Sequence, residues 1–255
     1  MGSEMCIRDR LQFVGLSGTF VFSLLVYLAC LLFTLRLRIG REVIRTGSHE
    51  SVISNLLQGL RHLKQTPLLF ALLMVTAVYN LFGFPLLSLV PVLGRDALAL
   101  SPGMVGLLAS MEGAGALVGS VLVLRFGVIP HYRRIYVGGL FIYFAASLMY
   151  SLVTWTLPVA LLLALAGVGS AAFAAMQTTL LILNSSASYR GRLFGMLSLS
   201  IGVGVFGFIL VGLLANALGV HAAIAVSSTL GLLSTFAICL YWPAVLALQP
   251  SKNTV

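Results

Sequence analysis

Glu112 is the one acidic side chain set deep inside an apolar stretch of this chain, near the middle of residues 102–124. A charged group at the centre of a bilayer costs about 2.5 to 3.5 kcal/mol on insertion scales, so its presence calls for a use. Two functional uses fit a carboxyl there. It can take up and release a proton, because removal from water makes the charged form costly, or it can receive a cationic group of a bound molecule. A structural use also fits, a protonated Glu112 hydrogen-bonded to a neighbouring helix through Asn80 or Gln177. Tyr79, Asn80, Gln177 and Thr178 are the next candidates, as polar groups within apolar runs that could line a cavity, and Thr179 and Asn216 share that character. Each could equally make an interhelical hydrogen bond, worth about 0.6 kcal/mol on average in measured membrane cases.

Bond-making chemistry would need more than this. A membrane-embedded enzyme requires a metal cluster, a Ser/His pair or paired carboxylates, and Glu112 stands alone. His49, His62, His131 and His221 fall in connections or at span ends and are read as solvated, while Cys6, Cys30 and Cys239 are isolated. No catalytic residue, metal site, cofactor or disulfide framework is therefore expected. A seven-helix receptor is the alternative class. Its retinal-binding version needs a lysine within a span, and the only lysines, Lys64 and Lys252, lie outside.

The elements that must position Glu112 are membrane helices. Hydrophobic residues make up 60% of the chain and charged ones 8%, which cannot cover a soluble surface. About 20 mostly apolar residues are needed to cross the hydrocarbon core as a helix. Seven segments meet that need, at 12–35, 67–91, 102–124, 132–153, 157–183, 192–216 and 220–246, which predicts an all-α integral membrane protein of about seven transmembrane helices. Thr66-Pro67 and Ser101-Pro102 each place a capping hydroxyl before a proline at the first helical position.

Charge orients the spans. Arg36, Arg38, Arg41, Arg45, Arg61 and Lys64 fill one connection, Arg125, Arg133 and Arg134 another, Arg190 and Arg192 a third, and Lys252 the tail, whereas the alternate connections hold only Arg95. Basic residues near span ends stay cytoplasmic, so the C-terminus is expected inside. The net charge of +9 is spread over short loops without a continuous stripe, which points to lipid headgroups and away from nucleic acid. Within the long connection, Val52, Ile53, Leu56, Leu57, Leu60 and Leu63 recur at helical spacing opposite polar residues, predicting an amphipathic helix on the membrane surface.

Two further patterns bear on motion. Gly113, Gly115 and Gly119, then Gly167, Gly169, Ser170 and Ala171, then Gly202, Gly204, Gly207 and Gly212 form small-residue groups that allow close helix approach. Pro85 and Pro91 fall in the second half of the 67–91 span, so that helix should bend or break near Gly83.

These residues carry a family resemblance. Thr66-Pro67-Leu68-Leu69, then Leu81-Phe82-Gly83-Phe84-Pro85, then Val90-Pro91-Val92-Leu93-Gly94-Arg95-Asp96 resembles the start of the C-terminal half of a major facilitator superfamily transporter. Residues 106–117, with Glu112 among them, are similar to that superfamily's eighth helix, and Arg190-Gly191-Arg192 to its Arg-Gly-Arg loop before helix eleven. Arg125-Phe126-Gly127 with Arg133-Arg134 looks like a copy of the basic gating motif from which the Asp is missing. The nearest branch is the bacterial enterobactin-exporter-like and drug-exporter-like group. The resemblance implies helices six to twelve of a secondary active exporter, proton-coupled, carrying small amphipathic molecules such as drugs or siderophores across the bacterial cytoplasmic (inner) membrane. It makes Arg125, Arg133, Arg134, Arg190 and Arg192 gating-loop candidates. It also implies a missing N-terminal half or a pairing chain as partner, since such carriers hold substrate between two halves. The expected organisation is a non-native leader at 1–10, a helix at 11–35, a cytoplasmic linker at 36–66, a six-helix bundle at 67–248 and a tail at 249–255.

Overall fold

The structure is a computed structural model that describes residues 21, 24–36, 66–186 and 189–248. The leader, most of the linker with its amphipathic helix, and the tail lie outside the described residues. The chain divides into two units, Met1–Glu50 and Ser51–Val255. The described part of the first is one apolar helix, α1 (Leu24–Arg36), in which the Thr34 hydroxyl donates to the Cys30 carbonyl over 2.8 Å.

The second unit is a helical bundle. Its described elements are α2 (Pro67–Ala97), α3 (Pro102–Phe126), α4 (Tyr132–Ser151), α5 (Thr156–Leu183), α6 (Arg190–Leu218) and α7 (Val220–Tyr241). With α1 they make seven helices, and there is no strand among the described residues: the fold is an all-α membrane protein. Five of them, α2, α3, α5, α6 and α7, are long and apolar enough to cross a membrane. The remaining helix of the bundle, α4, is more polar because it carries four tyrosines and Arg133-Arg134. Burial makes that tolerable, since Tyr136, Tyr143 and Tyr150 are each at most 1% exposed and do not meet lipid.

Glycine decides which helices touch backbone to backbone. A Cβ on Gly115 or Gly119 of α3 would run into the backbone of Ala164 or Val168 in α5, and one on Gly167 would strike the Glu112 carbonyl. Gly139 of α4 and Gly169 of α5 oppose each other in the same way. The result is a tight α3–α5–α4 frame. Gly113, Gly202 and Gly212 belong to the same sequence groups yet face open space.

Pro67 and Pro102 open their helices, as a residue without an N–H should. The capping hydrogen bond expected of Ser101 is not made; its backbone is extended and its carbonyl accepts the Val105 N–H at 3.0 Å. The break in α2 is present and starts earlier than Gly83. The α-helical segment Pro67–Val78 gives way to a π turn at Tyr79–Gly83 and then a 3-10 stretch at Phe84–Leu89. A second π turn, Leu93–Ala97, follows Pro91. Proline removes a donor and crowds the preceding turn, and the widened and tightened turns absorb that mismatch.

Candidate functional site

The site assembles around the break in α2. Tyr79 is its first residue, half-buried, with its ring 4.5 Å from that of Phe173 and 5.3 Å from that of Tyr143. Glu112, half-buried on α3, has its backbone pressed against Gly167 of α5. Its carboxyl lies within electrostatic range of the hydroxyls of Tyr79, Tyr143 and Tyr150. Neither the Glu112 carboxyl nor the Tyr79 hydroxyl makes a hydrogen bond or ion pair with another described residue. The charged acidic groups among the described residues are Asp96 and Glu112, and Asp96 is bound to Arg95 over 2.6 Å.

Asn80 and Gln177 do not hold Glu112, contrary to the structural alternative drawn from sequence. Both turn to Thr76. Asn80 Nδ2 donates to the Thr76 carbonyl at 2.9 Å, and Gln177 Nε2 donates to Thr76 Oγ1 at 3.1 Å. Thr76 Oγ1 also lies 2.9 Å from Tyr136 Oη, and Tyr136 Oη lies 2.8 Å from the Leu72 carbonyl. Higher on the same face of α4, Tyr143 Oη donates to the Gly83 carbonyl at 2.9 Å, inside the break. Tyrosines of α4 thus grip α2 on both sides of Tyr79. Thr178 is exposed, Thr179 donates back to the Ala175 carbonyl at 2.9 Å, and Asn216 is exposed on α6.

The arginines of the loops separate into two kinds. Arg133 is 7% exposed and donates to the Ala244 carbonyl at 3.1 Å and to Asn184 Oδ1 at 3.2 Å, tying α4 to the end of α5 and to the turn after α7. Arg134 Nε donates to the Leu246 carbonyl at 3.2 Å. Arg125 and Arg190 are exposed, and Arg192 lies 5.6 Å from the centre of the Tyr189 ring. At the opposite end His221 is not simply solvated, since its Nδ1 lies 2.7 Å from the Ser151 carbonyl.

The sequence pattern of the transmembrane secretion effector family matches residues 10–251. The chain belongs to that family. It is therefore a multi-pass membrane protein of the major facilitator type, and its general task is transport of small molecules. No curated relative matches it.

Several members of the polar cluster escape a reading of the sequence by residue type. Thr76, Tyr136, Tyr143 and Tyr150 are absent from the candidates, as is Asn184. One signal was available. Tyr136, Tyr143 and Tyr150 repeat every seven residues, which puts them on one helix face.

Proposed function

We propose that this chain forms helices six to twelve of a proton-coupled exporter of small amphipathic molecules, with Glu112 as the proton-carrying group. The observation that carries the reading is the placing of the Glu112 carboxyl, without a hydrogen-bond or ion-pair partner among the described residues, within electrostatic range of Tyr79, the residue at which α2 breaks. An intramembrane carboxyl with no partner keeps its proton or loses it according to what surrounds it, and a broken helix next to it can change those surroundings. Glu112, Tyr79 and the amides of Asn80 and Gln177 form the side of a binding cavity.

The opposing side belongs to a second six-helix half. Leu117, Val121 and Leu124 of α3 are 61–85% exposed, and Val205, Phe206 and Leu213 of α6 are 63–67% exposed. An N-terminal half or a pairing chain would cover such faces and close the cavity. The arginine-bearing end faces the cytoplasm, and Arg125, Arg133, Arg134, Arg190 and Arg192 control closure at that end, Arg133 by fixing the helix ends and the exposed ones by meeting the opposing half.

The test uses inside-out membrane vesicles from cells expressing the chain together with its opposing six-helix half and a fluorescent amphipathic dye. An imposed pH gradient should drive dye accumulation, and Glu112→Gln should abolish it while the amount of inserted protein stays the same. Equal pH-driven accumulation by Glu112→Gln refutes the proton role; pH-independent movement by the unaltered chain refutes the coupling.

A further inference from the structure

The close contact of α3 and α5 at Gly115, Gly119 and Gly167 is flanked on either side by an apolar groove. Toward the start of α3 the groove is lined by Met104, Leu107, Met111, Leu157 and Leu161, with a volume of 350 Å³. Toward its end the groove is larger, 570 Å³, and is shared with α4. Leu122, Phe126, Val128, Ile135 and Ala172 line it, together with His131, brought in by the short 3-10 turn Ile129–His131.

Charge separates the two grooves. His131 lies in the wall of the larger one, Arg125 is exposed one residue from the lining Phe126, and Arg134 is exposed one turn beyond His131. Neither described acidic residue is at that end, because Glu112 is mid-helix and Asp96 precedes α3. The smaller groove has an apolar lining apart from Thr156, and the nearest cation, Arg95, is neutralised by Asp96. An apolar trough opening to the hydrocarbon and capped by cations at headgroup depth is complementary to one molecule present in every such membrane. We propose that the larger groove is a binding site for an anionic phospholipid, one acyl chain lying along Leu122, Phe126 and Ala172 and the phosphate held by Arg125 and His131, with Arg134 flanking it.

Lipid in the groove ties α3 to α4, which otherwise touch mainly through α5. The experiment is native mass spectrometry of the full chain in detergent with equal amounts of phosphatidylglycerol and phosphatidylcholine of identical acyl chains. The unaltered chain should retain phosphatidylglycerol preferentially, and Arg125→Gln/His131→Leu should lower the ratio about fivefold or more, the effect of one basic group at a membrane surface. Arg125→Lys should keep the preference, which separates loss of charge from misfolding. Leu122→Trp should reduce retention of both lipids by filling the groove, and Leu157→Trp in the smaller groove should leave the preference intact. A ratio near one for the unaltered chain overturns the proposal. So does an unchanged ratio in Arg125→Gln/His131→Leu, or a lipid-free dimer in which a second copy covers the groove.

Discussion

Thr76 is the most connected side chain in the bundle's polar cluster, and its removal separates two arrangements of hydroxyl protons. Its Oγ1 lies 3.1 Å from the Leu72 carbonyl, 2.9 Å from Tyr136 Oη and 3.1 Å from Gln177 Nε2. A hydroxyl has one proton to give. Since Tyr136 Oη is 2.8 Å from the Leu72 carbonyl, the consistent arrangement is a chain: Gln177 donates to Thr76, Thr76 to Tyr136, and Tyr136 to Leu72. Thr76→Val keeps the shape and removes two of the three bonds, a loss of about 1.2 kcal/mol at the membrane average of about 0.6 each. Tyr136→Phe also removes two, but Thr76 can then turn its proton to the Leu72 carbonyl, so the net loss is about 0.6 kcal/mol. The double variant loses all three, about 1.8 kcal/mol, and the two changes should add although the residues touch. Reversible unfolding in mixed micelles, followed by the helical circular dichroism signal, reads all four proteins. Equal losses for the two single variants, with a double variant about 0.6 kcal/mol short of their total, would refute the rotation of Thr76.

Three other perturbations test the frame and its grip on α2. Tyr143→Phe removes the 2.9 Å bond to the Gly83 carbonyl and should speed amide exchange across residues 79–89 about threefold, the equivalent of one membrane hydrogen bond; unchanged exchange there would mean that the break needs no anchor. Gly139→Ala would set a Cβ 2.7 Å from the Gly169 carbonyl and 2.9 Å from the Phe173 nitrogen, both backbone, and should cost about 1 to 3 kcal/mol. Gly138→Ala meets nothing within 4 Å and should be neutral or slightly stabilising, so equal effects at the two sites contradict the close approach. Arg133→Gln loses charge-assisted bonds to Ala244 and Asn184, which should cost about 1.5 to 3 kcal/mol and expose residues 243–248 to proteolysis; cleavage at the unaltered rate would show that Arg133 does not hold that turn.

The spans were legible because hydropathy over twenty residues is a strong local signal, and the break in α2 because proline acts on its own helix. Partner choice was not. Whether Asn80 faces Glu112 or its own Thr76 carbonyl depends on the rotation of one helix against another, which no single-helix pattern contains. The roles of the α4 tyrosines are not legible for a related reason: their hydroxyls become meaningful only once carbonyls of α2 lie opposite. Glycine showed the same limit. Gly113 and Gly115 are two positions apart in one motif, yet only Gly115 meets the α5 backbone, because two residues turn a helix by about 200°. Arg133 and Arg134 are consecutive, and the bonds to Ala244 and Asn184 make the buried first one a strut while the second remains at the surface.

The disposition of fixed and adaptable parts gives the proposed mechanism its direction. Glu112 sits on α3, and the glycine crossings bind α3, α5 and α4 backbone to backbone, so the carboxyl is carried by a rigid frame. The π and 3-10 turns of α2 are held to that frame by one hydroxyl on each side of Tyr79, from Tyr136 at Leu72 and from Tyr143 at Gly83. On its other side the break meets α6 through Gly204 and Gly207, where a Cβ would crowd the Asn80 and Leu81 carbonyls or Pro85, and through the Phe84 ring set edge-on 5.8 Å from that of Phe208. The two tyrosine hydroxyls pin one face of the break. Tyr79 lies between them. In the proposed mechanism a proton arriving at Glu112 would change the field at Tyr79, and the motion would fall to α2, where the turn type changes, and not to the glycine-locked frame.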